Sequence, residues 1–324
     1  TALELGVEVH MFGGRMKADI NAFQSVSKGQ IVRTQMSATT GFLTAPQNTG
    51  KISNKGLEVD LFLQLIRKRN FFWDIDLAFS HVQSLVSDLP ENMPQITLAS
   101  FTALSSNIIN GQPYGVFRGT SIKRNEAGEM IIGEDGFPLI NSEQTIIGDP
   151  NPDFLLSLRN SLGIGKLQVS MLWDIRKGGD IWNGTRGVMG YLGVSKESGD
   201  QREVRDYIFP GVTESGEPNT KAVAFADPEE GMSSIYWRRY GFLGLAEKHI
   251  EDASWIRLRE LHMSYPFKID WLGKKDSQIR IGLTARNLLL FTRYSGIDPE
   301  TNLRGDSNIM GWDYFNLPNT RGIS

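Results

Sequence analysis

The sequence of 324 residues has no cysteine, only four histidines and almost no net charge. The absence of cysteine excludes disulfide bonds and thiolate metal sites, and no two histidines have the HxxxH or HExxH spacing of a zinc site. Lysine and arginine number 34 against 37 acidic residues, a formal charge of −3 that argues against general affinity for nucleic acid or anionic membranes. We therefore expect no metal site, no cofactor and no nucleic-acid partner.

Long apolar runs are also missing. No window of eighteen residues is apolar throughout, which argues against a transmembrane helix. The first residues, TALE, lack the charged leader and apolar core of a signal peptide. Because the sequence starts without methionine and inside a strand-like pattern, we interpret it as a piece of a longer chain. Glycine (34 residues), phenylalanine (17) and the scarcity of helical periodicity favour an all-β fold.

Alternation of apolar and polar residues with period two predicts eight strands. Ile75 and Leu77, for example, alternate with Asp74 and Asp76. The predicted strands cover residues 3–11, 16–22, 57–65, 71–79, 156–164, 167–175, 261–265 and 279–285. The phase of the alternation slips over residues 255–260, which predicts either a β-bulge or a stretch of strand that projects above the membrane.

The connections between these strands alternate between short and long. Short turns are expected near residues 13, 67, 165 and 270, and long connections over 27–51, 86–153 and 181–254, with another beginning near 295. Loops of this size are rare in compact soluble domains, whereas outer-membrane barrels have short turns at one end and long loops at the other. We therefore predict an antiparallel transmembrane β-barrel with long extracellular loops, in which one face of each strand meets lipid.

Other protein classes remain open at this point. A soluble β-sandwich also alternates, because one face of each sheet packs on a core. Strand length and the asymmetry of the loops favour the membrane barrel over the sandwich. The alternatives are a soluble β-rich carbohydrate-binding module and a passive porin-type or autotransporter barrel.

Six segments carry a more specific resemblance. They are NTGKISNKGLE (residues 48–58), IGDPNPD (147–153), WDIRKGGDIWNGT (173–185), SWIRLRELHMSYP (254–266), NL with FTRYSGIDPE (287–300) and DYFNLPNTR (313–321). In their residues and in their order along the chain, these segments resemble motifs of the SusC/RagA family of TonB-dependent outer-membrane transporters. The resemblance covers essentially the whole sequence.

The resemblance implies a fold and a function. Members of this family in Bacteroidetes are barrels of twenty-two strands with an amino-terminal plug. They import oligosaccharides, and sometimes peptides, across the outer membrane with a SusD-like lipoprotein lid, and the TonB–ExbB–ExbD complex pulls on the plug. Residues 1–324 are then expected to be the carboxy-terminal portion of the barrel, without the plug domain, the amino-terminal strands and the last strand.

Aromatic residues of the long connection over 181–255 are the candidate substrate-binding residues. Flat apolar ring faces suit the C–H faces of sugars, and loops carry function more often than the elements they connect. The candidates are Trp182, Tyr191, Tyr207, Tyr236, Trp237, Tyr240 and Trp255. Taken one at a time, these residues fit loop packing or contact with a lipoprotein better than contact with a substrate. No nucleophile has an identifiable base, so we expect no catalytic residues and no enzyme activity.

Overall fold

The computed structural model describes residues 1–35, 39, 41, 44–91, 93–226, 235–268, 278–305 and 307–324. The strands are β1 (Ala2–Met11), β2 (Met16–Gln35), β3 (Thr44–Lys68), β4 (Phe71–Ser87), β5 (Gln95–Phe101), β6 (Leu104–Ile109), β7 (Val116–Gly119), β8 (Ile131–Ile132), β9 (Thr145–Gly148), β10 (Phe154–Ile164), β11 (Leu167–Lys177), β12 (Asp180–Asn183), β13 (Val212–Thr213), β14 (Ile250–Asp252), β15 (Trp255–Lys268), β16 (Gln278–Thr292), β17 (Trp312–Asp313) and β18 (Gly322–Ile323). The α-helices are α1 (Gly184–Tyr191), α2 (Lys196–Gln201) and α3 (Ile235–Tyr240). Within the described ranges, no helix has the length and apolarity needed to span a membrane.

Nine strands form one large sheet in the order β1-β2-β3-β4-β10-β11-β15-β16-β18. All neighbours in it are antiparallel. Eight of these strands contain the eight predicted from alternation, so that prediction is confirmed. The ninth, β18, has two residues and pairs with β16 at Ala285 and Arg286, where the sequence predicted no strand.

One face of this sheet is apolar across its whole width. Residues that lie directly opposite each other on neighbouring strands point to the same face. One such row consists of Val7, Ile20, Val59, Phe79, Leu156, Ile175, Ile256 and Phe291. None of these side chains is buried, and the exposed fraction reaches 52% at Val7 and 56% at Phe291. The apolar face is therefore not covered by a second layer of the described protein, as a soluble sandwich would require.

The opposite face is mainly polar. The neighbouring row, displaced by one residue along each strand, points to this opposite face. It consists of Glu8, Asp19, Asp60, Ala78, Ser157, Asp174, Arg257 and Leu290. The two-sidedness predicted from alternation is confirmed. We call these the lipid face and the inner face of the sheet.

Asn160 is a polar exception on the lipid face, in line with Ile75 and Met171. Its side-chain oxygen accepts a hydrogen bond of 3.2 Å from the indole nitrogen of Trp73, one strand away. An amide surrounded by hydrocarbon is costly unless it is hydrogen-bonded. The tryptophan therefore makes a polar side chain tolerable at this position.

The predicted bulge is present where the alternation slips. The pairing of β15 with both of its neighbours shifts between Leu258 and Glu260. Arg259 is the extra residue against β11, whereas on the other side Asn287 and Leu288 of β16 face the single residue Arg259. On β16 the backbone of Asn287, opposite the bulge, adopts a left-handed φ of 51°. The bulge places Glu260 on the inner face beside Arg257 and Arg259, in line with Leu172, whereas strict alternation would have placed Glu260 on the lipid face.

The two ends of the sheet differ as predicted. Tight turns join β1 to β2, β3 to β4 and β10 to β11, while the turn predicted near residue 270 lies in 269–277, outside the described residues. At the other end emerge three long connections, residues 88–153, 178–254 and 293–321, which together we call the loop region. In outer-membrane barrels the long loops mark the extracellular end.

The prediction of a long loop over 27–51 is wrong. β2 and β3 instead continue through it as a two-stranded ribbon, paired from Met16 and Leu63 up to Gln35 and Thr44. Their apolar alternation fades beyond Ala22 and Leu57, because both faces of a ribbon outside the membrane meet water. Backbone pairing needs no apolar face, so the sequence pattern did not reveal it.

Candidate functional site

The loop region is folded, not irregular, and short strands join its separate connections. β12 pairs with β14 and, in parallel, with β17, so that three distant segments form one small sheet. β8 pairs in parallel with β13, which links two of the long connections. At the entry, Gly178 and Gly179 adopt positive φ values of 76° and 78°, a conformation in which glycine is least strained. This turn carries the chain from β11 into the loop region.

A first aromatic core holds this small sheet in place. Trp182 and Trp312 lie opposite each other on β12 and β17 and are fully buried, with ring centroids 6.5 Å apart. Phe101 contacts both rings. Asn183, the last residue of β12, caps α1 by accepting a hydrogen bond of 2.9 Å from the backbone nitrogen of Arg186.

A second aromatic cluster forms an open cleft of about 370 Å³. It is lined by Ile122, Arg124, Met130, Pro138, Tyr207, Phe209, Pro210, Tyr236, Tyr240, Leu245, Glu247 and Lys248. The walls are therefore mostly apolar and aromatic, with one ion pair at the rim, in which the Arg124 guanidinium lies 2.7 Å from the Glu247 carboxylate. Apolar walls with a few polar groups are typical of small-molecule and peptide sites. We call this site the aromatic cleft.

Lys248 is the unusual polar residue of the aromatic cleft. Its ammonium nitrogen lies 3.5 Å from the ring centroid of Trp237 and 4.1 Å from that of Tyr236. Burial lowers the pKa of Lys248 to about 7, against the opposing effect of the Glu197 carboxylate. The two ring faces partly compensate the lost hydration of the ammonium by cation–π attraction. The lysine therefore titrates near neutral pH.

Replacing Lys248 with methionine should stabilise the loop region at pH 6. In the unfolded chain the Lys248 side chain keeps its proton up to about pH 10.5. Below pH 7 the folded protein therefore carries the full free-energy cost of burying the charged ammonium. It disappears as the pH rises from 7 to 10.5, and stability should rise over that window. At pH 6 the substitution should add about 2–4 kcal/mol, after allowance for the lost cation–π attraction. Hydrogen exchange of loop-region peptides at a series of pH values measures both effects.

The control for this substitution is Lys196→Met, because Lys196 is fully exposed and pairs only with Asp200 of its own helix. It should leave the pH profile of the loop region unchanged. A Lys248→Met variant that kept the same rise in stability between pH 7 and 10.5 would show that the rise comes from another group.

The structure divides the seven predicted aromatic residues. Tyr207 and Tyr236 line the aromatic cleft, and Tyr207 remains 41% exposed. Tyr240 also borders the cleft but is buried, and its hydroxyl donates a hydrogen bond of 2.6 Å to the Pro138 carbonyl. Tyr191 is half-buried at the end of α1.

The other three of the seven candidates are tryptophans, and for them the predicted role in substrate binding needs correction. Trp182, Trp237 and Trp255 are all buried, at 1%, 1% and 7% exposure. A buried ring cannot stack on a sugar or peptide without displacing its own neighbours. Their large apolar area instead holds the loop region together, which the residue type alone could not distinguish from a binding role.

A buried ion-pair network on the inner face was not predicted from the sequence. Arg257 and Asp298 are both 3% exposed and lie 2.6 Å apart, and Glu300 lies 2.8 Å from the Nε of Arg257. Arg259 then bridges Glu300 and Asp174, at 2.7 Å to each. The network thus joins β11 and β15 to the segment that follows β16.

Neighbouring polar groups complete this ion-pair network. The backbone and side-chain nitrogens of Asn319 donate to Asp298 and Glu300, each at 3.1 Å. Trp255 packs beneath both arginines, with guanidinium carbons 5.6 and 5.5 Å from its ring. Four of the motif segments quoted above, WDIRKGG, SWIRLR, SGIDPE and DYFNLPNTR, therefore meet at one place.

Comparisons with known proteins identify the class of this fold. The chain is 26% identical to TonB-dependent receptor P3 of Formosa agariphila over 348 residues, which cover 98% of the chain and 33% of that receptor. It is also 26% identical to TonB-dependent receptor P26 of the same organism, over all of the chain and 33% of the receptor. The chain is a homologue of TonB-dependent receptors. It spans about a third of the length of these relatives. No family model matches it.

The fold agrees with that relationship. The structure of the RagAB peptide transporter superposes on 99% of the chain and 34% of its own length, with a TM-score of 0.69 at 17% identity. These comparisons confirm the predicted resemblance to SusC/RagA transporters and the predicted barrel fold. They also confirm the predicted localisation in the outer membrane. Among the described residues, no group of three or more histidine, aspartate or glutamate side chains is arranged to hold a metal ion.

Proposed function

We propose that this chain is the carboxy-terminal part of the barrel of a TonB-dependent outer-membrane importer that works with a SusD-like lipoprotein. The observation that carries the proposal is the bare apolar face of the nine-stranded sheet, set against a polar inner face. Such a sheet is stable only where lipid covers one side. Transport energy is then supplied by TonB–ExbB–ExbD, acting on the plug domain of the importer.

Oligosaccharides or peptides are the proposed cargo. Support comes from the aromatic cleft at the loop end, which offers ring faces for sugar or side-chain contacts. Further support is that one structure with this fold is named as a peptide transporter. The related proteins are receptors and transporters, so we propose that the chain is not an enzyme.

The other two functions fit the molecule less well. A soluble carbohydrate-binding module would leave the whole lipid face in water, with Leu3 and Leu5 more than 70% exposed. A passive porin does not depend on TonB.

Uptake of a fluorescent peptide digest and of a labelled oligosaccharide mixture, in cells with and without ExbB, tests the proposal. If either probe enters equally fast in cells without ExbB, the TonB-dependent importer is contradicted and a passive porin is supported.

Tyr207 provides a more local test of the aromatic cleft. Replacing it with alanine should weaken cargo binding about 2–10-fold, because one ring contact contributes about 0.5–1.5 kcal/mol. Tyr207→Phe keeps the ring and should bind as the wild type does. Leu192→Ala, at an exposed position outside the cleft, is the matched control. Equal binding by Tyr207→Ala and wild type in calorimetric titrations would remove Tyr207 from the site.

A further inference from the structure

The β2–β3 ribbon carries an uneven charge. Residues 20–57 contain four basic residues and no aspartate or glutamate, although the whole chain is slightly acidic. Three of the four have described side chains, and these are Lys28, Lys51 and Lys55. We attribute this local excess of positive charge to the surroundings of the ribbon.

All three lysines lie on the same side of the ribbon as the lipid face, beyond the row of Ala22 and Leu57. On β3 the outward positions run from Leu57 to Lys55 and on to Lys51, and on β2 Lys28 lies directly opposite Lys51. Successive residues advance about 3.3 Å along a strand. Lys55 therefore lies about 7 Å beyond the last apolar row of this ribbon, and Lys51 about 20 Å beyond it, both towards the loop region.

Within the described part of the chain, the three ammonium groups have no counterion. No carboxylate of the described residues lies within 4 Å of Lys28, Lys51 or Lys55. Like charges directly opposite each other on neighbouring strands are destabilising, so the Lys28–Lys51 pair favours an external anion. Lys51 and Lys55 border an open cleft of about 550 Å³ on this face, where Asp149 and Asp153 lie on the far side without pairing with them.

We propose that Lys28, Lys51 and Lys55 bind the phosphate groups of a phosphorylated glycolipid in the outer leaflet. The proposal rests on the outer-membrane placement, because the loop region marks the extracellular end. At that end, the surface just beyond the apolar belt meets lipid headgroups. Basic residues near a membrane surface attract anionic headgroups with about 1 kcal/mol each. Gln24 and Gln83, which flank Lys55 on the neighbouring strands, add neutral hydrogen-bond donors.

The test uses the full-length protein that contains this chain, purified from outer membranes in detergent. The variant is the triple substitution Lys28→Gln, Lys51→Gln and Lys55→Gln. Its affinity for bis-phosphorylated lipid A should fall about a hundredfold, or about fivefold per lysine. Native mass spectrometry should also show loss of the co-purified phosphorylated lipid. Wild-type protein should bind dephosphorylated lipid A as weakly as the variant binds the phosphorylated form.

The control removes three lysines at or near the opposite end, Lys17→Gln, Lys68→Gln and Lys166→Gln, and should retain the bound lipid. Equal lipid affinity of variant and wild type would overturn the proposal, and so would inorganic phosphate that binds wild type as tightly as the lipid does. If the triple variant fails the heat-modifiable gel assay for folding, Lys51→Gln alone should still lose about fivefold. A full-length protein absent from outer-membrane fractions would instead contradict the proposed function.

Discussion

Replacing Asp298 with asparagine should destabilise the folded barrel by about 3 kcal/mol. The substitution keeps the shape of the side chain but leaves Arg257, which is 3% exposed, without its nearest counter-charge. Loss of one partner from a buried pair costs about 3–5 kcal/mol, and Glu300, 2.8 Å from the same guanidinium, keeps the loss near the lower limit. Urea titration of the full-length protein in phospholipid vesicles measures the change in unfolding free energy.

Two variants separate the buried charge from other effects of the Asp298 substitution. Asp200→Asn breaks an exposed, solvent-screened pair with Lys196 and should leave the stability nearly unchanged. The double variant Arg257→Met with Asp298→Leu removes both charges and should recover much of the loss, because apolar side chains can replace a buried pair. If Asp298→Asn is no less stable than Asp200→Asn, the network does not hold the segment after β16 on the inner face.

A charge on the lipid face should have the second large effect. Leu77 lies in the middle of β4, in line with Leu61 and Leu158 on the neighbouring strands. Leu77→Arg should lower the stability of the membrane-inserted protein by about 2–4 kcal/mol, because the guanidinium would enter the hydrocarbon core. The folded fraction in vesicles, read from heat-modifiable gel migration over a urea series, reports this loss.

Ala78 provides the control, one residue along the same strand but on the inner face, in line with Asp60 and Ser157. Ala78→Arg adds the same charge to a polar, exposed surface and should change stability little. A soluble protein with this fold would place both positions in water. Equal effects of the two substitutions would therefore contradict the membrane placement of the sheet.

The wall of the barrel was predictable because lipid imposes a strict rule on the sequence. Each residue on one side must be apolar, and the side-chain period of a strand is two. Ile75 and Leu77 against Asp74 and Asp76 are therefore visible without any structure. The β2–β3 ribbon and β18 were missed, since strands outside the membrane, or only two residues long, carry no such pattern.

The candidate site was only partly predictable. Tyr207 and Tyr236 were chosen for their residue type, and they do border the aromatic cleft. Trp182 and Trp237 were chosen on the same grounds, yet both are buried. Lys248 was not chosen at all, because its lowered pKa arises from burial, which no local sequence pattern shows.

Local sequence patterns were enough to predict which residues meet lipid, where eight of the nine strands of the large sheet lie and which end carries the long loops. Those features follow from local alternation and need no knowledge of contacts. Only the tertiary structure decided that the arginines of one strand would pair with Asp298 and Glu300, and which aromatic rings would remain open to a ligand. Both outcomes depend on side chains from segments far apart in the chain, whose approach no local pattern encodes.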